Sequence, residues 1–224
     1  MSEGGGTRRR RAVSKEDKSK RRNEIMDAAK KVFARNGFHA TTISHIAKEA
    51  GLAYGSVYWY FDSKDELFHA LMAAEGEALR AHIAASLAAA GGRPDRNWEP
   101  LRITVQAVLE YFEADKAVTK LLLRDASALG DEFEKHLGSI YERFIDDIEK
   151  NMIVAQERGT VISAPPRMLA FSLAALIGQI AHRRLTTDDG VTASDVADIV
   201  VSFALNGLRP RDEVLAATGP VTDP

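Results

Sequence analysis

Between Thr41 and Phe61 the chain sets two helical signals around one glycine, and that spacing leaves few folds open. Ile43, Ile46, Ala47 and Ala50 recur at helical intervals, and Thr41 or Thr42 can cap the first turn by accepting a backbone N–H. Gly51 then stops the helix, because glycine takes the left-handed conformation without a Cβ penalty. Only Leu52 and Ala53 separate it from a second segment, 54–61, so the two helices must cross steeply. That is the geometry of a helix-turn-helix, whose second helix can enter the major groove of DNA.

The second segment carries the sharper argument. Tyr58, Trp59, Tyr60 and Phe61 are consecutive, and at 3.6 residues per turn they point to all sides. Val57 and Phe61, four apart, form the natural inward pair, which leaves Tyr54, Tyr58, Trp59 and Tyr60 at least partly outside. Packing against neighbouring helices is the competing explanation, and for Tyr58 alone it is as good. For the whole set, exposed aromatic surface of that density calls for a partner. Phenol hydroxyls can bond phosphates, rings can pack on thymine methyls, and Gly55 and Ser56 are small enough to let the backbone approach the bases.

These residues resemble a family, the TetR-type one-component transcriptional regulators of bacteria. The resemblance rests on Gly37-Phe38, Thr41-Thr42-Ile43, Ile46-Ala47, Ala50-Gly51-Leu52, Gly55-Ser56-Val57-Tyr58, Tyr60-Phe61 and Ser63-Lys64-Asp65-Glu66-Leu67. It covers about thirty residues at fixed spacing, far more specific than a generic helix-turn-helix. The expected nucleic-acid contacts are Thr41, Thr42, Tyr54, Gly55, Ser56, Tyr58, Trp59, Tyr60 and Lys64. A cation at a helix N-terminus is disfavoured unless an anion is near, so a DNA phosphate is the natural partner for Lys64; a merely solvated lysine is the alternative.

Charge is distributed unevenly. The net charge is −2, yet residues 1–64 hold 14 Lys and Arg against 7 Asp and Glu, which leaves 16 against 25 for the remainder. A base of +7 and a body of −9 favour nucleic acid at one end and argue against polyanions at the other. Four consecutive arginines, Arg8 to Arg11, follow a glycine run without apolar periodicity, so residues 1–18 read as a disordered basic arm able to follow phosphates or enter the minor groove. The absence of cysteine removes disulfides and thiolate metal sites and fits a reducing cytoplasm. No secretion signal is expected, and no membrane span: the longest apolar run, 168–181, is interrupted by Ser172 and Gln179.

Taken in order, the chain predicts an all-α protein of about nine helices. A helix from about Lys20, with Ile25, Ala28, Ala29, Val32 and Phe33 on one face, completes a three-helix DNA-binding domain over 19–63. A helical effector-binding and dimerisation domain follows over 64–208, and 209–224 is tail. Asp62 or Ser63 can cap the fourth helix, which runs to about Ala90. Gly91-Gly92 and Pro94 break the chain before a fifth helix bearing Leu101, Val105, Val108, Leu109 and Phe112. A short sixth lies around 118–128, and a seventh carries Phe133, Leu137, Ile140, Tyr141, Phe144, Ile148 and Met152. Pro165-Pro166 open the eighth, and Thr192 or Ser194 caps a ninth over 196–208.

The eighth helix is apolar on nearly every side and the ninth adds a stripe rich in small residues. Packing both against symmetry mates gives a four-helix dimer interface, with Phe171, Ala174, Gly178, Val196, Ile199, Val200, Phe203 and Ala204 as its expected residues; the alternative is that both helices finish one chain's core. Candidate effector-binding residues are Leu109, Phe112, Leu122, Tyr141, Phe144, Phe171 and Ala175, each of which core packing could explain equally. The effector is expected to be mainly hydrophobic. Asp146-Asp147 and Asp188-Asp189 read as solvated pairs.

The resemblance implies a homodimeric, cytoplasmic regulator, a repressor, that binds palindromic double-stranded operator DNA and is released by an unidentified small molecule acting through the fourth helix. No cofactor, metal or membrane partner is expected. A structural, nucleoid-type DNA binder without an effector is the alternative. An enzyme is a weaker one: the six histidines include no pair three or four apart, and neither a Gly-x-Ser-x-Gly elbow nor a phosphate loop occurs.

Overall fold

The computed structural model describes residues 15–91, 98–121, 138–188 and 190–208, and among them there is no strand. In chain order the helices are α1 (Lys15–Asn36), α2 (Ile43–Glu49), α3 (Tyr54–Val57), α4 (Lys64–Ala89), α5 (Glu99–Ala114), α6 (Lys116–Thr119), α7 (Ser139–Glu157), α8 (Pro166–Arg184) and α9 (Ala193–Leu208). The all-α expectation holds throughout the described residues. Arg8 to Arg11, Gly92, Pro94, Leu122, Phe133, Leu137, most of the segment 118–128 and the tail from Arg209 lie outside them. The chain divides into two compact units, Met1–Leu67 and Phe68–Pro224.

In the first unit, α1 packs on α2 and α2 on α3. Ile25, Ala29, Val32 and Phe33 of α1, Ile46 of α2 and Val57 of α3 are fully buried; each large side chain among them contributes about 1.5–3 kcal/mol by leaving water. Helix α1 begins at Lys15, four residues inside the stretch expected to be a disordered arm. Glu16 and Asp17 in its first turn explain the extension, since carboxylates there complement the helix dipole.

Thr42 caps α2, its Oγ1 accepting the His45 N–H at 3.3 Å. The other end closes through Gly51: at φ +66° its N–H reaches the Lys48 carbonyl and the Leu52 N–H reaches that of Ala47, at 3.2 and 2.9 Å. This paired closure needs the left-handed residue that glycine supplies. Helix α3 covers only Tyr54–Val57, and Tyr58, Trp59 and Tyr60 form a turn rather than the continuation to Phe61 that the sequence suggested. The next cap is the cause. Ser63 Oγ accepts the Glu66 N–H at 3.0 Å while the Glu66 carboxylate accepts the Asp62 N–H at 2.6 Å, so the backbone must leave the helical path before Asp62.

In the second unit, α8 packs on α7 and α5, and α9 on α5. One apolar cluster joins Leu79 of α4, Val105, Val108, Leu109 and Phe112 of α5, Ile177 and Ala181 of α8, and Val196, Ala197 and Val200 of α9. Two smaller clusters involve α7: Ile145 meets Ala170 and Ala174 of α8, and Met152 meets Leu169 and Leu173 of α8 and Ala204 of α9. Helix α9 begins at Ala193, earlier than Val196, with Thr192 as its cap. Four residues expected at a dimer interface, Ala174, Val196, Val200 and Ala204, are buried within their own chain. Alanine and valine are short enough to serve the inner face of these helices, and the spacing alone does not separate inner from outer. No described helix is long and apolar enough to cross a membrane.

Candidate nucleic-acid interface and ligand pocket

The helix-turn-helix places the aromatic residues outward as their angular spread requires. Tyr54, Tyr58 and Trp59 are 55%, 41% and 83% exposed, whereas Val57 and Phe61 are buried and Tyr60 lies between. The Tyr54 and Tyr58 hydroxyls are 3.0 Å apart and their rings meet edge to face at 5.2 Å. The hydrogen bond to Tyr54 is the main cause that raises the Tyr58 pKa above the ordinary phenol value, so Tyr58 stays protonated at neutral pH. Gly55 has open space where a Cβ would stand, and Ser56 is half-buried with its N–H on the Ala53 carbonyl.

The two threonines separate. Thr42 is exposed and caps α2, while Thr41 is 1% exposed and donates its hydroxyl to the Gly37 carbonyl at 2.7 Å, closing the α1–α2 turn. Lys64 is also drawn inward. Its Nζ donates to the Phe38 carbonyl at 2.9 Å, lies 3.5 Å from the His39 carbonyl and sits 4.2 Å from the Phe38 ring centroid. These carbonyls, rather than a missing anion, offset the cost of a cation at the N-terminus of α4. Arg22, not singled out in the sequence, lies 4.6 Å over the Phe61 ring. Arg22 and Phe61 belong to different elements far apart in sequence, so no local pattern signalled the contact.

The second unit contains a largely apolar pocket between α4, α5, α7 and α8. Gly76, Leu79, Val108, Phe112, Ile140, Tyr141, Phe144 and Ile177 line a cavity of about 120 Å³, with Glu77, Arg80 and Arg143 at its edge. Of the candidate effector residues, Phe112, Tyr141 and Phe144 line this pocket. Phe171 stands behind Tyr141, ring edge to face at 6.4 Å, and Ala175 is not among the lining residues. Leu109 faces a neighbouring, more polar cavity of about 330 Å³ that it shares with Phe112, Glu113, Lys116 and Arg184.

Asp146 and Asp147 are not a simple solvated pair. Asp146 accepts from Arg167 at 2.9 Å and Asp147 from Arg80 at 2.9 Å, so one ties α7 to α8 and the other ties it to α4. The Arg and Glu of the pocket edge were missed because they are ordinary surface residues in any helical reading. Gly76 gave the one available signal: it interrupts an apolar helix, and a Cβ there would stand 2.8 Å from Ile140 Cγ2.

Residues 25–71 match the family of bacterial regulatory proteins of the tetR type. Over 60 residues the chain is 47% identical to the uncharacterized HTH-type transcriptional regulator YfiR of Bacillus subtilis, an alignment spanning 27% of this chain and 29% of that protein. A longer alignment, 24% identical over 204 residues, pairs 91% of this chain with 89% of the HTH-type transcriptional activator FasR of Mycolicibacterium smegmatis. Among solved structures, the regulator FadR of Bacillus subtilis in complex with stearoyl-CoA shares the fold, with a TM-score of 0.69 at 18% identity over 83% of this chain and 98% of that one. The aligned stretch thus reaches under a third of YfiR's length but most of FasR's, and the strongest identity lies in the helix-turn-helix. Residues 25–71 carry the DNA-binding segment of the tetR family of bacterial regulatory proteins, and the chain as a whole is similar in length and fold to regulators of that type.

Proposed function

We propose that this DNA-binding regulator acts as a cytoplasmic homodimer, a repressor that holds a palindromic operator and is released by a small, mainly apolar effector. The observation that carries the reading is the outward cluster of Tyr54, Tyr58 and Trp59 on a helix-turn-helix whose glycine turn fixes its angle. Protonated phenols can donate to phosphates and base edges, and Trp59 offers an uncovered apolar face. Thr42, Gly55, Ser56 and Tyr60 complete the expected surface. Lys64 has three N–H donors and uses two directions toward the Phe38 and His39 carbonyls, which leaves one for a phosphate.

Dimerisation is supported by what α8 and α9 leave uncovered. Met168, Phe171, Ile199 and Phe203 are 61%, 50%, 62% and 70% exposed, a large apolar load for the surface of a single chain. Gly178, on α8 with Met168 and Phe171, has open space where a Cβ would stand and also lines the apolar pocket. A two-fold dimer whose recognition elements stand about 34–36 Å apart fits successive major grooves.

Effector control is supported by the apolar pocket, one wall of which is α4, the helix that begins at Lys64. The FadR relative binds stearoyl-CoA, which fits an effector with an aliphatic part here. Occupancy would be coupled to operator affinity by about 1–3 kcal/mol. No enzymatic role is proposed.

Footprinting on fragments of the source genome tests the reading. One protected palindrome, lost on addition of effector, is the expected result; uniform coating of the fragment would mean a structural DNA binder, and turnover of a small molecule without DNA binding would mean an enzyme.

A further inference from the structure

The charged edge of the apolar pocket has a geometry that its wall does not account for. Arg80 and Arg143 both reach the same oxygen of Glu77, at 3.5 and 3.4 Å. Charge-assisted N–H···O bonds normally close to about 2.7–2.9 Å, so this carboxylate serves two cations loosely. Arg80 is held better by Asp147, 2.9 Å away, which Lys150 also approaches at 3.5 Å. Of the two arginines that line the pocket at this edge, Arg80 thus has a close carboxylate and Arg143 shares only the loosely held Glu77 among the ion pairs of the described residues. Beside it, the Tyr141 hydroxyl has no hydrogen-bond partner among the described residues. Burial first, and the Glu142 charge second, raise its pKa, so it remains a neutral donor.

The pocket is also shallow. Its volume of about 120 Å³ is well under the roughly 300–1,000 Å³ of sites for drug-sized ligands. The α4–α7 wall sets the depth, since Ile140 presses against Gly76 so closely that a Cβ would lie 2.8 Å from its Cγ2.

We propose that the pocket takes an amphiphile with a short apolar tail and an anionic head group, and that the head group takes the place of Glu77 between Arg80 and Arg143. This rests on reading the pocket as the effector site. Carboxylate and phosphate share the required chemistry, because each can accept paired N–H bonds from a guanidinium. The exchange releases Glu77 to solvent, where its 59% exposed side chain already lies in part.

Isothermal titration of the full-length protein without DNA, using hexanoate, hexyl phosphate and hexanol, is the test. The expected result is that one of the two anions binds about tenfold or more tightly than hexanol, and the stronger of the two identifies the head group. Arg143→Gln should bring that advantage to about twofold. Glu77→Gln removes the internal competitor, so it should tighten the anion and leave hexanol unchanged. Equal affinity for all three probes, or a weaker anion in Glu77→Gln, would overturn the head-group assignment while the pocket reading stands. Failure of all three to bind, both to the native protein and to an Ile140→Ala variant with a deeper pocket, would overturn the pocket reading and this inference with it.

Discussion

Lys64 shows how one side chain can serve fold and function together. Its ammonium bonds the turn between α1 and α2 through the Phe38 carbonyl and lies against the Phe38 ring, and it is also proposed, with Tyr54 and Trp59, as a DNA contact. Replacing it with alanine should therefore have two signatures. Thermal unfolding should shift downward because the Phe38 carbonyl loses a charged donor, and the salt dependence of DNA binding should flatten by about one unit of slope. A lowered melting temperature with an unaltered slope would assign Lys64 to the turn alone. Tyr54→Ala is the complementary case: its 55% exposed ring supports no core, so stability should hold while discrimination between operator and random DNA falls by about 1–3 kcal/mol. Competition binding with a scrambled operator measures that difference, and unchanged selectivity would remove Tyr54 from base readout. The exposure of Tyr54, Tyr58 and Trp59 was legible in sequence because four adjacent aromatics cannot share one helix face. The inward turn of Thr41 and the carbonyl partners of Lys64 were not, since both depend on how the α1–α2 turn folds back across up to 26 residues of chain.

Among the elements, α9 has the most explicit start signal. Thr192 Oγ1 accepts the Asp195 N–H at 3.1 Å, and the Asp195 carboxylate accepts the Thr192 hydroxyl and N–H at 2.6 and 3.2 Å. The bond from the Thr192 side chain is the main cause that lowers the Asp195 pKa below its ordinary 3.8. A depressed carboxyl pKa stabilises the folded state above the unfolded value, and that contribution is lost as pH falls through the lower folded value. Acid titration of unfolding should show a loss of stability below about pH 4 that Asp195→Asn lacks. Thr192→Ala should cost about 1 kcal/mol at neutral pH, as a lost N-cap does, and identical acid profiles for native and Asp195→Asn proteins would refute the linkage. This cap was visible in the spacing of Thr192 and Asp195, as was the glycine stop after α2. The early start of α1 and the short α3 were less so. Helix periodicity marks the buried face, whereas Glu16, Asp17 and Lys18 are exposed and the end of α3 is decided by the cap of the following helix. Sequence spacing also failed to sort α8 and α9 into inner and outer faces, because Ala174, Val196, Val200 and Ala204 carry small side chains that suit either.

At the scale of the molecule, function depends on how many copies of the helix-turn-helix meet one DNA duplex. Within each chain α9 is already fastened to α5: Arg102 donates to Asp198 at 2.5 Å and to Ser194 at 2.7 Å. The face it turns away from α5 carries Ile199 and Phe203, both mostly exposed, so the inner packing of α9 does not use them. A paired substitution Ile199→Glu and Phe203→Glu should leave helicity and the melting of the single chain close to native. In a dimer it would place like charges opposite one another across the two-fold axis and make association unfavourable. Sedimentation at micromolar concentration is expected to show a dimer for the native chain and a monomer for the variant. Operator affinity should fall by about 10²–10⁴-fold, because the second recognition surface no longer binds at high effective concentration, while affinity for an isolated half-site should change little. A variant that stays dimeric would move the interface away from this face. One that becomes monomeric but keeps full operator affinity would show that each chain reads its site alone, and the palindrome would then have no physical basis.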